Sequence, residues 1–160
     1  MPDWIVHVAV PYIICRLLYF RYPVFNSANT VLAMLGALLP DIVKVGMVAQ
    51  LYFINIDDYI AAFHIPLTSL VLAGLISIFF KEKKLAFLFF TLGVLTHYAL
   101  DVLLIHVGEG YYLFFPISWQ IFHLDLISPD DYNITIVVMC VAVLLYLLGL
   151  LSQRNNVKKS

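Results

Sequence analysis

Five residues of this 160-residue chain carry metal-binding chemistry in places where charge is costly: His7, Asp41, His64, His97 and Asp101 all fall within long apolar stretches. His97 and Asp101 are spaced i, i+4, which puts both on one face of a helix. An imidazole and a carboxylate at that spacing can bind one metal, or the carboxylate can bridge two. Asp41 and His64 complete four nitrogen and oxygen ligands, the donor set favoured by zinc, with manganese or iron as alternatives. Lys44 lies one turn after Asp41. It either neutralises that carboxylate within the helix or presents a cation to a substrate phosphate beside one or two metal ions.

Those residues are costly because the surroundings are lipid. The chain is 63% hydrophobic, 15% aromatic and only 12% charged, with a mean hydropathy of +0.97, whereas a soluble domain carries about 25% charged residues. Nine Lys+Arg against ten Asp+Glu leave a net charge of -1, which excludes the basic surface that a nucleic-acid binder needs. A charge in mid-membrane costs at least ~2.5–3.5 kcal/mol on an insertion scale, so Asp41, Lys44 and Asp101 must each face a partner or a polar cavity.

Apolar runs of about 17 residues or more define the elements that position them. The expectation is an all-α, polytopic membrane helix bundle of about five transmembrane helices, near 4–20, 30–54, 59–80, 85–107 and 134–151. The stretch 108–133, interrupted by Gly110, Pro116 and Pro129, reads as a re-entrant or interfacial segment. Residues 1–152 form one domain and 153–160 a short basic tail. The opening Met-Pro-Asp has no basic n-region, and Pro11 and Arg16 interrupt the first apolar stretch, so it is expected to stay as a span.

Arg16 and Arg21, then Lys81, Lys83 and Lys84, then Arg154, Lys158 and Lys159 all fall on one side of such a bundle, and Asp3, Asp57, Asp58, Glu109, Asp125, Asp130 and Asp131 on the other. The positive-inside rule places the N-terminus outside and the C-terminus in the cytoplasm. At ~1.5 Å per residue, the five candidate ligands lie ~16–25 Å from the cytoplasmic face of a ~30 Å core, all in its outer half. Arg16 is read as snorkelling to the interface, and Cys15 and Cys140 as packing residues. His106 and His123, with Asp125, read as wet rim groups. Tyr111, Tyr112, Trp119 and Phe122 suit a headgroup-level aromatic belt.

The motifs Met-Pro-Asp-Trp-Ile-Val-His7, Leu-Gly-Ala-Leu-Leu-Pro-Asp41 with Lys44, Phe-His64-Ile-Pro-Leu, Thr-His97-Tyr-Ala-Leu-Asp101 and Gly-Tyr-Tyr-Leu-Phe-Phe-Pro116-Ile-Ser-Trp119 run through nearly the whole chain. Together they resemble the YdjM-like family of membrane-bound metal-dependent hydrolases, in particular its archaeal members. Val43 stands where bacterial relatives often have a second acid, and no second histidine follows His64. The order His, Asp, His, then His-x-x-x-Asp is more loosely similar to the ligand order of zinc-dependent phospholipase C. That likeness implies Asp41, His64, His97 and Asp101 on one metal, and His7 with Asp101 on another.

The expected function is therefore a membrane-embedded hydrolase with a divalent metal, acting on phosphoester bonds of a lipid or lipid-linked substrate, with Asp101 and Lys44 as its catalytic residues. The competing reading is a non-enzymatic metal-binding or transport protein. A third is that the same groups only bond helices together, at ~0.6 kcal/mol per membrane hydrogen bond.

Overall fold

Proline and glycine set most of the boundaries seen in the structure, a computed structural model that describes residues 3–44, 64–105, 112–128 and 131–157. Among the described residues there are five α-helices and no strand: α1 (Asp3–Tyr19), α2 (Ser27–Gly36), α3 (Pro66–Ser77), α4 (Lys83–Asp101) and α5 (Tyr132–Val157). A 3-10 turn, Pro40–Lys44, follows α2. Asn26 starts α2 by accepting the Asn29 N–H on its side chain at 3.0 Å, which satisfies one of the helix's orphan donors. Pro66 opens α3 at its first turn, where its missing N–H costs nothing.

Helix α4 is the spine. It packs against α2, α3 and α1, while α1 also packs on α2 and α5. Its buried side runs through Ala86, Phe90, Gly93, Val94, His97, Tyr98 and Asp101, the three-and-four spacing that keeps one face inward. The core it builds joins Leu39, Ala73, Phe90, Val94 and Tyr98. A 2.9 Å hydrogen bond between Ser69 Oγ and Tyr98 Oη ties α3 to it.

The α2–α4 crossing is backbone against backbone. A Cβ on Gly36 would overlap the Phe90 carbonyl, and one on Gly93 would overlap the Ala33 carbonyl. Helices in lipid gain little by burying more apolar surface, so close approach over small residues supplies the packing. Gly36 and Gly93 provide it here.

Outside the core the surface is apolar as well: Leu88 and Leu95 of α4 and Val137, Leu144 and Leu151 of α5 are all exposed. A helix apolar on every side belongs in lipid or a large core. By length and composition, Tyr132–Ser152 is the one helix among the described residues long and apolar enough to cross a bilayer, and Trp4–Tyr19 and Pro66–Ser77 are shorter apolar helices. Helices α1, α4 and α5 fall where spans are expected at 4–20, 85–107 and 134–151, but α4 ends at Asp101, short of the expected limit. The expected second span differs, because α2 stops at Gly36 and gives way to the 3-10 turn. Residues 45–63, where that span would end and the third begin, lie outside the described residues.

The segment 112–128, with Pro116 inside it, is turn and coil, and it is strapped to the end of α4. The Leu124 and Leu126 amides donate to the Val102 and Leu103 carbonyls, and the Ile105 amide donates to that of Ile127. Cys15 is buried as expected, but Cys140 is exposed, since α5 is covered on one side only.

Candidate metal centre

Two prolines prepare the site locally. Pro11 has no N–H for the carbonyl of His7 one turn earlier, which loosens α1 at that histidine. Pro40 likewise cannot continue α2, and the chain tightens to i to i−3 bonds: the Leu39 amide donates to Gly36 and the Asp41 amide to Leu38. The Asp41 amide therefore does not take the Ala37 carbonyl. His97 Nδ1 takes that carbonyl instead, at 2.7 Å across the α2–α4 crossing.

This bond sets the histidine's protonation pattern. A carbonyl oxygen only accepts, so Nδ1 carries the hydrogen, and in the neutral ring Nε2 presents a lone pair. Nε2 lies 3.0 Å from Asp101 Oδ2, an acceptor too. His97 is fully buried and Asp101 is 4% exposed. Two acceptors this close in a dry interior are reconciled by a cation between them, either a proton that makes His97 an imidazolium or a metal ion.

The other predicted residues converge on the same point. His64 Nε2 lies 3.3 Å from Asp101 Oδ2 and 3.4 Å from His97 Nε2. Asp41 Oδ1 lies 3.9 Å from the Nε2 atoms of both His64 and His97. On the far side of the carboxylate, His7 Nε2 lies 3.3 Å from Asp101 Oδ1, its ring stacked on that of His97 at 4.1 Å between centroids. His7 and Asp41 are buried and His64 is partly exposed.

Five separations among Asp41, His64, His97 and Asp101 thus run from 3.0 to 3.9 Å. Bonds of ~2.0–2.1 Å in a tetrahedral site hold their ligands ~3.3 Å apart. Buried, mutually close His and Asp groups of this kind could hold a metal ion, as two sets sharing His97: His7, His97 and Asp101, and Asp41, His64 and His97. Asp101 Oδ2 and His7 Nδ1 are buried with no hydrogen-bond partner, which singles them out as groups awaiting a ligand or water. The donor set fits a divalent cation.

His7 also lines a cavity of about 50 Å³ with Ser128, Asp131 and Thr135, room for a water or two. This cavity, the Ala37 carbonyl and the Gly36–Gly93 contact were not anticipated from the motifs. The small residues Ala33, Gly36, Ala37 and Gly93 were their only trace in the chain. His123 is exposed and paired with Asp125 at 2.6 Å, apart from the cluster. The Lys44 side chain, His106, Asp57, Asp58, Glu109, Tyr111 and Asp130 lie outside the described residues.

Over residues 1–157 the chain matches the model of the YdjM inner membrane protein family. No curated protein matches it, and no solved structure does.

Proposed function

Because the chain belongs to the YdjM inner membrane protein family, we propose that it is a membrane-embedded, metal-dependent hydrolase of phosphoester bonds in a lipid or lipid-linked substrate. The observation that carries the metal is the His97 Nε2 lone pair set 3.0 Å from Asp101 Oδ2 in a buried cluster. Asp41, His64, His97 and Asp101 would hold one ion, and His7 with Asp101 would hold a second where two are bound. Zinc suits the imidazole-rich set best. A bound divalent metal supplies Lewis acidity, which lowers the pKa of water and polarises the phosphoryl oxygen.

The remaining work falls to the chain. Ala37 fixes the His97 ring through Nδ1 and keeps Nε2 turned to the metal, the outer-shell device that orients ligands. The cavity beside His7 has room for the attacking water, whose oxygen would bond to phosphorus as the ester P–O bond breaks and the leaving oxygen takes a proton. Asp131, in the same cavity, gives released protons a carboxylate on the way out. Lys44 is the cation proposed to hold the substrate phosphate.

The substrate class is supported by what surrounds the cluster. Segment 112–128, fastened one residue beyond Asp101, exposes Phe114, Ile117, Trp119 and Leu126, side chains that sit well at a bilayer surface. The cluster draws on the N-terminal ends of α1 and α3 and the C-terminal ends of α2 and α4. Helices threading the membrane alternately bring those ends to one level. This supports alternating spans with the cluster at one level of the membrane, and the Lys/Arg distribution, read by the positive-inside rule, supports placing that level beneath the outer leaflet with the N-terminus outside.

Two measurements test the reading. Elemental analysis of the detergent-purified protein is expected to give one to two equivalents of divalent metal, lost in Asp101→Asn. Equal occupancy in both proteins would remove Asp101 from the site. Metal-dependent release of phosphate or headgroup is expected from a panel of lipid phosphoesters, and loaded protein inactive on the whole panel would favour a metal carrier.

A further inference from the structure

Arg16 sits two turns past the cluster's reach, and it does not lie free at the interface. Nine residues separate it from His7, ~13.5 Å along α1 and half a revolution around it. Its guanidinium fills the space that a Cβ on Gly149 would take and lies 5.5 Å over the Tyr19 ring. Among the described residues no carboxylate pairs with it. A charge held between helices without a counter-ion is expensive in this setting, so the position calls for an anion from outside the chain.

The space around it says which kind. Arg16, Ser27 and Thr30 line a cavity of about 450 Å³ between α1, α2 and α5. A second cavity of about 530 Å³, walled by Val8, Leu38, Met139 and Val143, adjoins it and shares Tyr12, Met34 and Tyr146. The combined cleft runs from Trp4 to Arg16, twelve residues or ~18 Å of helix, against ~15 Å for one leaflet's hydrocarbon. One end carries the Arg16 cation and the Ser27 hydroxyl, and the rest is apolar. A free phosphate would use only the first part.

We propose that this cleft is a binding site for one anionic phospholipid, its phosphate on Arg16 and an acyl chain along α1 and α5 toward Trp4. Basic pockets between membrane helices recognise headgroups in this way. The site is separate from the metal centre and serves to hold α5, which meets the bundle chiefly through α1, in place.

Native mass spectrometry of the full chain in micelles doped with phosphatidylglycerol or phosphatidylcholine tests it. The wild type is expected to retain one phosphatidylglycerol with roughly fivefold preference over phosphatidylcholine, the effect of a single arginine at an anionic headgroup. Arg16→Gln should abolish the preference while leaving metal content unchanged, and millimolar inorganic phosphate should not displace the lipid. Val143→Trp, which fills the apolar part with Arg16 intact, should lower retention of both lipids. Wild type without preference, Arg16→Gln retaining it, displacement by phosphate, or Val143→Trp binding normally would each overturn the site.

Discussion

Gly93→Ala touches no metal ligand, yet it is expected to empty the metal centre. The added Cβ would stand 2.5 Å from the Ala37 amide nitrogen and 2.8 Å from the Gly36 carbonyl carbon, and closer still to the Ala33 carbonyl. Ordinary contact needs ~3.5 Å or more, so α2 and α4 must part by on the order of 1 Å. Overpacking of that kind costs about 1–3 kcal/mol, partly offset by about 1 kcal/mol from removing a helical glycine. Stability therefore falls only modestly. The metal centre is less forgiving, because its ligand distances hold to about 0.2 Å, and α2 carries Ala37 and leads to Asp41 while α4 carries His97 and Asp101. The control is Gly74→Ala on α3, whose Cβ would meet the Phe87 ring at an ordinary 3.7 Å. Metal content by elemental analysis and thermal unfolding in detergent should be read together. Gly93→Ala is expected to lose most of its metal and to unfold near the temperature of the metal-stripped wild type, and Gly74→Ala to match the loaded wild type in both. Full occupancy in Gly93→Ala would refute the link from helix approach to ligand geometry.

Two further outcomes are expected. A thiol introduced by Asp125→Cys, in a Cys140→Ser background, should react with an impermeant reagent on the side that carries the chain's N-terminus, reached from outside the cell membrane; labelling only after lysis would invert the proposed topology. His123→Ala should leave metal content unchanged and shift stability by less than about 1 kcal/mol, as exposed ion pairs do, and a loss of metal in that variant would bring the segment 112–128 into the site.

The sequence was sufficient to show an apolar, helical chain and to pick out the ionisable groups that the fold gathers. Charge is so scarce that each ionisable group inside an apolar stretch stands out, and the i, i+4 spacing of His97 and Asp101 already places them on one helical face. Helical structure for α1, α4 and α5 follows from long, mostly apolar runs, which need only local information, even with Pro11 and Arg16 inside the first. Where α2 ends was harder to read: composition continues apolar past Gly36, and only the missing N–H of Pro40 turns the chain.

Convergence was a matter for the tertiary structure. His7, Asp41, His64 and Asp101 are separated by tens of residues, and no spacing rule says that Asp101 presents one oxygen to His7 and the other to His64 and His97. The tautomer of His97 depends on a carbonyl 60 residues away, exposed to it because a proline cut α2 short and two glycines let the backbones touch. Arg16 makes the same point in reverse. Its sequence neighbours send it to the interface, but a glycine on α5 opens a space that only packing creates. Local spacing fixes which groups share a helix face, whereas distances between faces are set by the smallest side chains at the crossings.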